Sequence, residues 1–448
     1  MKSIYCSALI GLLASLHTSA KGDQPLTISA QLETPLVMEN TAHAHVLVRL
    51  RAEDADPDRK AKKLNLALVV DRSGSMSGRK IEDARAAAIQ MLDRMRDGDR
   101  VSLISYSDEV RVDVGSTVLN EQTRTRVRNA IHRISDGGST NLGGGLVEGI
   151  KQVEAHTGSS DVNRVLLISD GLANRGIQSP AELNRISREA LQKGVITTTI
   201  GLGADYNEDL MTSIADHGGG NYYFVKESHQ IAGTLTQELG QMSATVARNV
   251  TLHVVLPEGI DVDKVHGWVV KREDRTLIVP LGDFFSGQSR SVLWKFKLPE
   301  KSTAGDKLEL GPVHLAFNTL DGEAALQRTK TEPLVIQVSD SEEQVTAGRN
   351  MEVAARIAEI ELATSVEDAA NLVAAGKYDE AKRVLGGAVQ RANQQGAALP
   401  DAFAKDLLSA AEEAQQMEQN VDKAEVDAQA AKEFSKGGKA SSRALKKK

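Results

Sequence analysis

Five oxygen-bearing residues in three separate loops carry the most specific chemistry of this 448-residue chain. Asp71, Ser73 and Ser75 stand in Asp71-Arg72-Ser73-Gly74-Ser75, which begins where the apolar run 64–70 stops. Thr140 lies in the loop Gly137-Gly138-Ser139-Thr140-Asn141, and Asp170 follows the apolar run 164–169 and precedes Gly171. Two carboxylates and three hydroxyls supply only oxygen, the donor that a hard divalent cation takes. Mg2+ wants octahedral oxygen coordination at about 2.0 to 2.1 Å and keeps several waters, so few side chains suffice. Mn2+ and Ca2+ accept the same donors. Singly, each aspartate is explained as well by capping a helix or turn, and the serines and glycines by shaping loops. It is the five together that favour a cation.

Other chemistry is sparse. The sole cysteine is Cys6, which closes off intramolecular disulfides and cysteine-based zinc sites. The sequence has no Gly-x-x-x-x-Gly-Lys-Ser/Thr phosphate loop, no His-Glu-x-x-His and no Gly-x-Ser-x-Gly elbow. His43 and His45 read as neighbours on an exposed strand face rather than a metal pair. His132, the nearest histidine to Thr140 in sequence, lies in a charged helical segment and is no evident general base. Asn174, four residues beyond Asp170, reads as a cap for the segment that follows. With 54 basic and 61 acidic residues the net charge is -7, and there are only 2 Trp, 6 Tyr and 7 Phe. Nucleic acid is therefore not an expected partner.

The elements that must position the five residues alternate short apolar runs with helical spacing over 64–242. The runs 64–70, 101–106, 164–169, 195–201 and 221–225 read as strands, and 109–114 as an edge strand. Between them Ile81, Ala84, Ala88, Met91, Leu92 and Met95 recur at helical spacing, as do Leu183, Ile186, Ala190 and Leu191. That alternation predicts an α/β fold, a doubly wound and mostly parallel sheet, in which ligands bind outside the carboxyl ends of the strands. Asp71 and Asp170 each end such a run.

The order Asp-x-Ser-x-Ser, then Thr, then Asp resembles the metal-ion-dependent adhesion site of von Willebrand factor type A domains, over about 64–242. The resemblance implies direct metal contact from Ser73 and Ser75, and contact from Thr140 that is direct or through water. It implies largely water-mediated contact from Asp71 and Asp170. It also implies an open coordination position that a partner's carboxylate fills, so that the metal bridges two proteins and the chain is not an enzyme. Neutral hydroxyls around the ion leave its charge incompletely cancelled, which keeps it attractive to an acidic group. The whole arrangement is similar to bacterial relatives of the inter-alpha-trypsin inhibitor heavy chains, with Gly282-Asp283-Phe284-Phe285-Ser286-Gly287 among the patterns outside the α/β segment.

Around this unit the sequence predicts further parts. Lys2, an apolar run over 4–16 and Thr18-Ser19-Ala20 read as a signal peptide over 1–20. Its 13-residue run is short of the ~20 residues a membrane span needs, and no later segment is apolar enough to span. A periplasmic, secreted or cell-surface location follows. Segment 21–51 holds two period-2 stretches that need partners, and 52–63 reads as a linker. Strand candidates over 248–340, at 250–256, 265–271, 275–281, 291–298, 307–317 and 334–338, predict a β-sandwich that the early strands join. The α/β unit would then be an insertion. From 343 to 431 the pattern is helical hairpins, and 432–448, with seven basic residues and one acidic, reads as a flexible solvated tail. The expected partner is a protein or matrix ligand presenting an acidic side chain. Three other readings remain at this level: a cytosolic subunit assisting an ATPase, a helical scaffold, and a metal-dependent hydrolase.

Overall fold

The computed structural model describes residues 25–54, 63–157, 162–319 and 326–447. The signal peptide 1–20 with Cys6, most of the linker 52–63 and the turn Asp321-Gly322 lie outside the described residues.

Strands β1 (Leu26–Leu32), β2 (Leu36–Met38) and β3 (His43–Ala52) come first. The α/β unit follows as β4 (Leu64–Asp71), α1 (Arg79–Arg94), β5 (Arg100–Tyr106), β6 (Val110–Val118), α2 (Glu121–His132), α3 (Leu142–Glu154), β7 (Val162–Ser169), α4 (Pro180–Gln192), β8 (Val195–Leu202), α5 (Glu208–His217), β9 (Gly219–Val225) and α6 (Ile231–Ser243). Its six strands run in the order β6-β5-β4-β7-β8-β9, parallel except for the antiparallel edge strand β6. Every residue of β4, β7 and β8 is buried, as helices on both faces require. Side chains alternate between two cores. Leu66, Leu68 and Val70 of β4 pack with Ile81 of α1 and Leu235 of α6, while Ala67 and Val69 pack with Leu146 of α3 and Met211 of α5.

After α6 come β10 (Thr245–Val255), β11 (Asp261–Val265), β12 (Lys271–Glu273), β13 (Thr276–Phe285), β14 (Ser289–Lys297), β15 (Lys307–Gly311), β16 (Val313–Thr319), β17 (Leu326–Lys330) and β18 (Leu334–Ser339). Sheets β1-β3-β14-β11 and β12-β13-β10-β16-β17 share one core that includes Val46, Trp294, Leu252 and Phe317. β3 pairs with β14 along nine residues, Val46 opposite Trp294. The α/β unit is therefore inserted between β3 and β10. Several strands differ from the sequence pattern: β10 starts earlier, at Thr245, β6 runs on to Val118, and β17 had no candidate. The continuous run 307–317 splits at Gly311, whose φ of 75° lets β15 leave for a separate sheet with β18 and β2. The candidate at 265–271 moves upstream, because β11 ends at Val265 and β12 starts only at Lys271.

The insertion is locked to the sandwich by close backbone contact and by buried charge. Gly282 of β13 has φ 78°, and a Cβ there would lie 2.3 Å from the carbonyl oxygen of Gly219, so only glycine fits. Beside it Arg164 of β7 donates to Glu238 of α6 at 2.8 Å and to Asp283 of β13 at 3.4 Å.

Helices α7 (Glu342–Ala347), α8 (Met351–Ala374), α9 (Tyr378–Ala398), α10 (Asp401–Val426) and α11 (Ala428–Lys447) complete the chain. α8 to α11 share an alanine-rich core, and α8 also reaches the sandwich through Val353 and Ile360 against Leu47 and Leu293. The flexible tail expected over 432–448 is instead the helix α11, described to Lys447, with Phe434, Lys436, Gly438 and Ser442 buried. The reason is charge matching at a distance in sequence. Its basic residues meet Asp205, Asp209 and Asp216 of the α/β unit and Glu367 of α8. Among the described residues no helix is long and apolar enough to cross a membrane.

Asp216 anchors this packing. Burial raises its carboxyl, but Lys447 and Arg443 outweigh that and hold it at about 2, against 3.8 ordinarily. A depressed carboxyl stabilises the fold above its unfolded value, and that gain is lost as pH falls from about 4 to about 2. Asp216→Asn is expected to cost about 2 kcal/mol at neutral pH and to flatten the acid limb in that window, measured by urea unfolding against pH.

Candidate metal centre

Asp71, Ser73, Ser75, Thr140 and Asp170 meet at the carboxyl edge of the central strands. Asp71 is the last residue of β4 and Asp170 directly follows β7, its parallel neighbour, so the register of that pair places both carboxylates at one end of the sheet. Both are fully buried. The Asp71 carboxylate accepts from the Ser73 amide at 2.8 Å through Oδ1 and from Ser169 Oγ at 2.8 Å through Oδ2. Burial pushes its carboxyl up to about 6, against the lowering effect of these donors, and the neighbouring Asp170 adds to the rise.

The hydroxyls form a chain onto Asp170. Ser73 Oγ and Ser75 Oγ are 3.0 Å apart, and Ser75 Oγ donates to Asp170 Oδ1 at 2.7 Å. Lys80, in the first turn of α1, donates to Asp170 Oδ2 at 2.6 Å. Thr140 is gripped at both ends of its peptide. Its amide donates to Asn174 Oδ1 at 2.8 Å, and its carbonyl accepts from the amides of Asn174 and Arg175 at 3.2 and 3.3 Å. The loops are cross-tied by backbone: Gly74 to Gly138 at 3.0 Å, Gly137 to Arg72 at 2.8 Å and Arg72 to Tyr106 at 2.9 Å. Met76 is buried in the core beneath the first loop.

Gly171 shows how closely the hydroxyl oxygens gather. A Cβ at that position would lie 3.2 Å from both Ser75 Oγ and Thr140 Oγ1 and 3.9 Å from Ser73 Oγ. Three hydroxyl oxygens from two loops thus lie within 3.9 Å of a single point, which a side chain at position 171 of the third loop would occupy. The donor chemistry fits a hard cation. Among the described residues no group of three or more His, Cys, Asp or Glu is placed to hold a metal, so a cation here rests on hydroxyls supplemented by two carboxylates.

Sequence reading missed the part that four residues play in this centre. Asn174 caps no helix; it fixes Thr140. Ser169 occupies Asp71, and Gly171 opens the cradle. Lys80 had the most usable signal, because a cation in the first turn of a helix opposes the helix dipole and calls for a carboxylate nearby. His132 is exposed at the end of α2.

The comparisons bear on the fold of this unit. Residues 65–238 match the family model of the von Willebrand factor type A domain, a domain type that typically mediates interaction between proteins. The uncharacterized protein YfbK of Escherichia coli (strain K12) is 29% identical over 278 residues, 59% of this chain and 47% of that protein. Inter-alpha-trypsin inhibitor heavy chain H3 of Mesocricetus auratus is 33% identical over 166 residues, 34% of this chain and 18% of that protein. The chain thus matches about half of YfbK and a smaller part of the heavy chain. A von Willebrand factor type A structure from Catenulispora acidiphila has a TM-score of 0.69 at 20% identity, covering 86% of this chain and 89% of that one. The ArnB paralog VWA2 from Sulfolobus acidocaldarius has a TM-score of 0.58 at 19% identity, covering 93% and 99%. Both are likenesses of fold. In sequence, residues 65–238 match the von Willebrand factor type A domain, and the chain has the fold of structures of that type.

Proposed function

We propose that this chain is an exported, non-catalytic binding protein. It captures a protein or matrix partner through a divalent cation at Ser73, Ser75, Thr140, Asp71 and Asp170, and the partner presents an acidic side chain. The observation that carries this reading is the convergence of the three hydroxyls on the point beside Gly171. Mg2+ is the ion whose habits suit so few protein donors, with Mn2+ and Ca2+ as alternatives.

The residues divide the work. Ser73, Ser75 and Thr140 offer neutral oxygens to the ion. Asp71 has both oxygens engaged by Ser73 and Ser169, so it supplies negative charge and holds the first loop in shape. Asp170 supplies charge from the opposite loop and orients Ser75. A bound cation supplies an electrophilic point of attachment for a carboxylate, and the neutral oxygens leave much of its charge uncancelled. The Lys2 to Ala20 segment supports export, and its removal from the mature protein is part of the proposal.

The test is capture from the extracellular or periplasmic fraction by the immobilised protein, in Mg2+ and in chelator. The expected result is a partner retained in Mg2+, released by chelator and not retained by Asp71→Ala. Retention unchanged by both chelation and Asp71→Ala would contradict metal-bridged capture.

A further inference from the structure

We propose that α11 is a strap whose docking on the α/β unit weakens the hold of the metal centre on its cation, with Lys80 as the relay. The proposal rests on the reading of the centre as a cation site and goes on to its regulation. Four observations support it.

The first is that Lys80 places an ammonium 2.6 Å from Asp170 Oδ2, beside the carboxylate that would help balance a bound cation. The Asp170 side chain is fully buried, and that of Lys80 is 34% exposed. Two positive charges drawn to one buried carboxylate oppose each other, so Lys80 acts as a resident competitor.

The second is that Lys80 also reaches the loop 203–207, which leads from β8 into α5. A Cβ on Gly203 would lie 3.9 Å from its ammonium. The Asp205 carboxyl in that loop is held below its usual range by its hydrogen bond to Lys432, with further help from the charges of Lys80 and Lys436. Lys80 therefore stands between two carboxylates, Asp170 in the centre and Asp205 on the loop.

The third is that α11 grips this loop. Lys432 donates to Asp205 at 2.7 Å, and buried Lys436 donates to the Tyr206 carbonyl at 2.6 Å with its ammonium 3.7 Å from the centre of the Tyr206 ring. With the strap docked, Lys432 satisfies Asp205 and Lys80 is left to Asp170. With it undocked, Asp205 draws on Lys80 and Asp170 is freed for the ion.

The fourth is that the strap, packed on its other side into the core of α8 to α10, meets the α/β unit largely through ion pairs that can be separated. Lys439 meets Asp209 at 2.8 Å, and Arg443 and Lys447 converge on Asp216. Several of these heads are exposed, Lys432 at 54% and Asp209 at 81%, so salt or a competing polyanion has access to them. By linkage, whatever the strap does to the cation, the cation does to the strap.

The experiment is Mg2+ titration by calorimetry on the full chain and on Lys432→Glu/Lys439→Glu, each with and without Lys80→Met. Hydrogen exchange over 428–447 reports docking in the same samples. The expected result is loss of protection in α11 and about fivefold or tighter Mg2+ binding in the charge-reversed chain, with no further gain once Lys80 is Met. Four results would overturn the proposal. A released strap with unchanged affinity removes the coupling. A gain that persists undiminished in the Lys80→Met background is a general charge effect. A strap that stays protected is not held by these pairs. Absence of Mg2+ binding in all four proteins instead sinks the cation site itself, and regulation with it.

Discussion

Arg164→Met is expected to lower stability by about 3 to 5 kcal/mol, because it takes a buried cation away from two buried carboxylates. The Arg164 side chain is 3% exposed and those of Glu238 and Asp283 are 0% and 4%. Glu238 keeps hydrogen bonds from Thr198 at 2.6 Å, Tyr223 at 2.7 Å and Asn221 at 3.0 Å. Asp283 keeps the longer contact from the Asn249 amide at 3.3 Å and the nearby charges of Arg248 and Arg290, and burial already raises its carboxyl despite all three arginines. The loss should therefore fall mainly on the join between β7 and β13. Adding Glu238→Gln removes the carboxylate left without its cation and should recover much of the stability, whereas Asp283 still has the charges of Arg248 and Arg290 beside it. Equilibrium urea unfolding of the single and double variants checks this. A single variant within about 1 kcal/mol of the parent would show that the ion triad does not bear on stability.

Gly171→Val is expected to abolish the response to metal while leaving the fold intact. The backbone there is not in the left-handed region, so a side chain brings no backbone strain of its own. Its Cβ would instead enter the space between Ser75 Oγ, Thr140 Oγ1 and Ser73 Oγ. At one hundred times its dissociation constant a cation stabilises the native state by about 2.7 kcal/mol; in the variant that gain should fall below about 0.5 kcal/mol. Thermal unfolding in Mg2+ and in chelator separates the two effects. A variant that keeps the full metal gain would place the ion away from Gly171.

The α/β fold and the position of its loops were legible because burial writes itself into local sequence. Strands covered on both faces must be continuously apolar, and the runs ending at Val70 and Ser169 put Asp71 and Asp170 at the correct edge. The residues that tune the centre were not legible for the opposite reason. Ser169, Asn174 and Gly171 act through contacts with Asp71, Thr140 and three hydroxyls, and nothing in their own neighbourhood distinguishes them from ordinary strand-end and turn residues. The same limit explains α11. Seven basic residues with a single acidic one look solvated when read locally, and their partners Asp205, Asp209 and Asp216 lie more than 200 positions earlier. Pairing of β3 with β14 was open to inference only because two isolated strands cannot bury a face alone. The split at Gly311 had a local signal in Gly311-Pro312, and what needed the sheet itself was the departure of β15 to pair with β18.

The most direct test of the central claim is thermal unfolding of the protein in chelator and in graded Mg2+, beside Ser73→Ala/Ser75→Ala. The hydroxyl-lined cradle requires a midpoint that rises with Mg2+ in the parent, by the equivalent of about 2.7 kcal/mol at one hundred times the dissociation constant, and does not rise in the variant. A parent indifferent to Mg2+, Mn2+ and Ca2+, or a variant that responds as the parent does, would contradict a cation held by these serines.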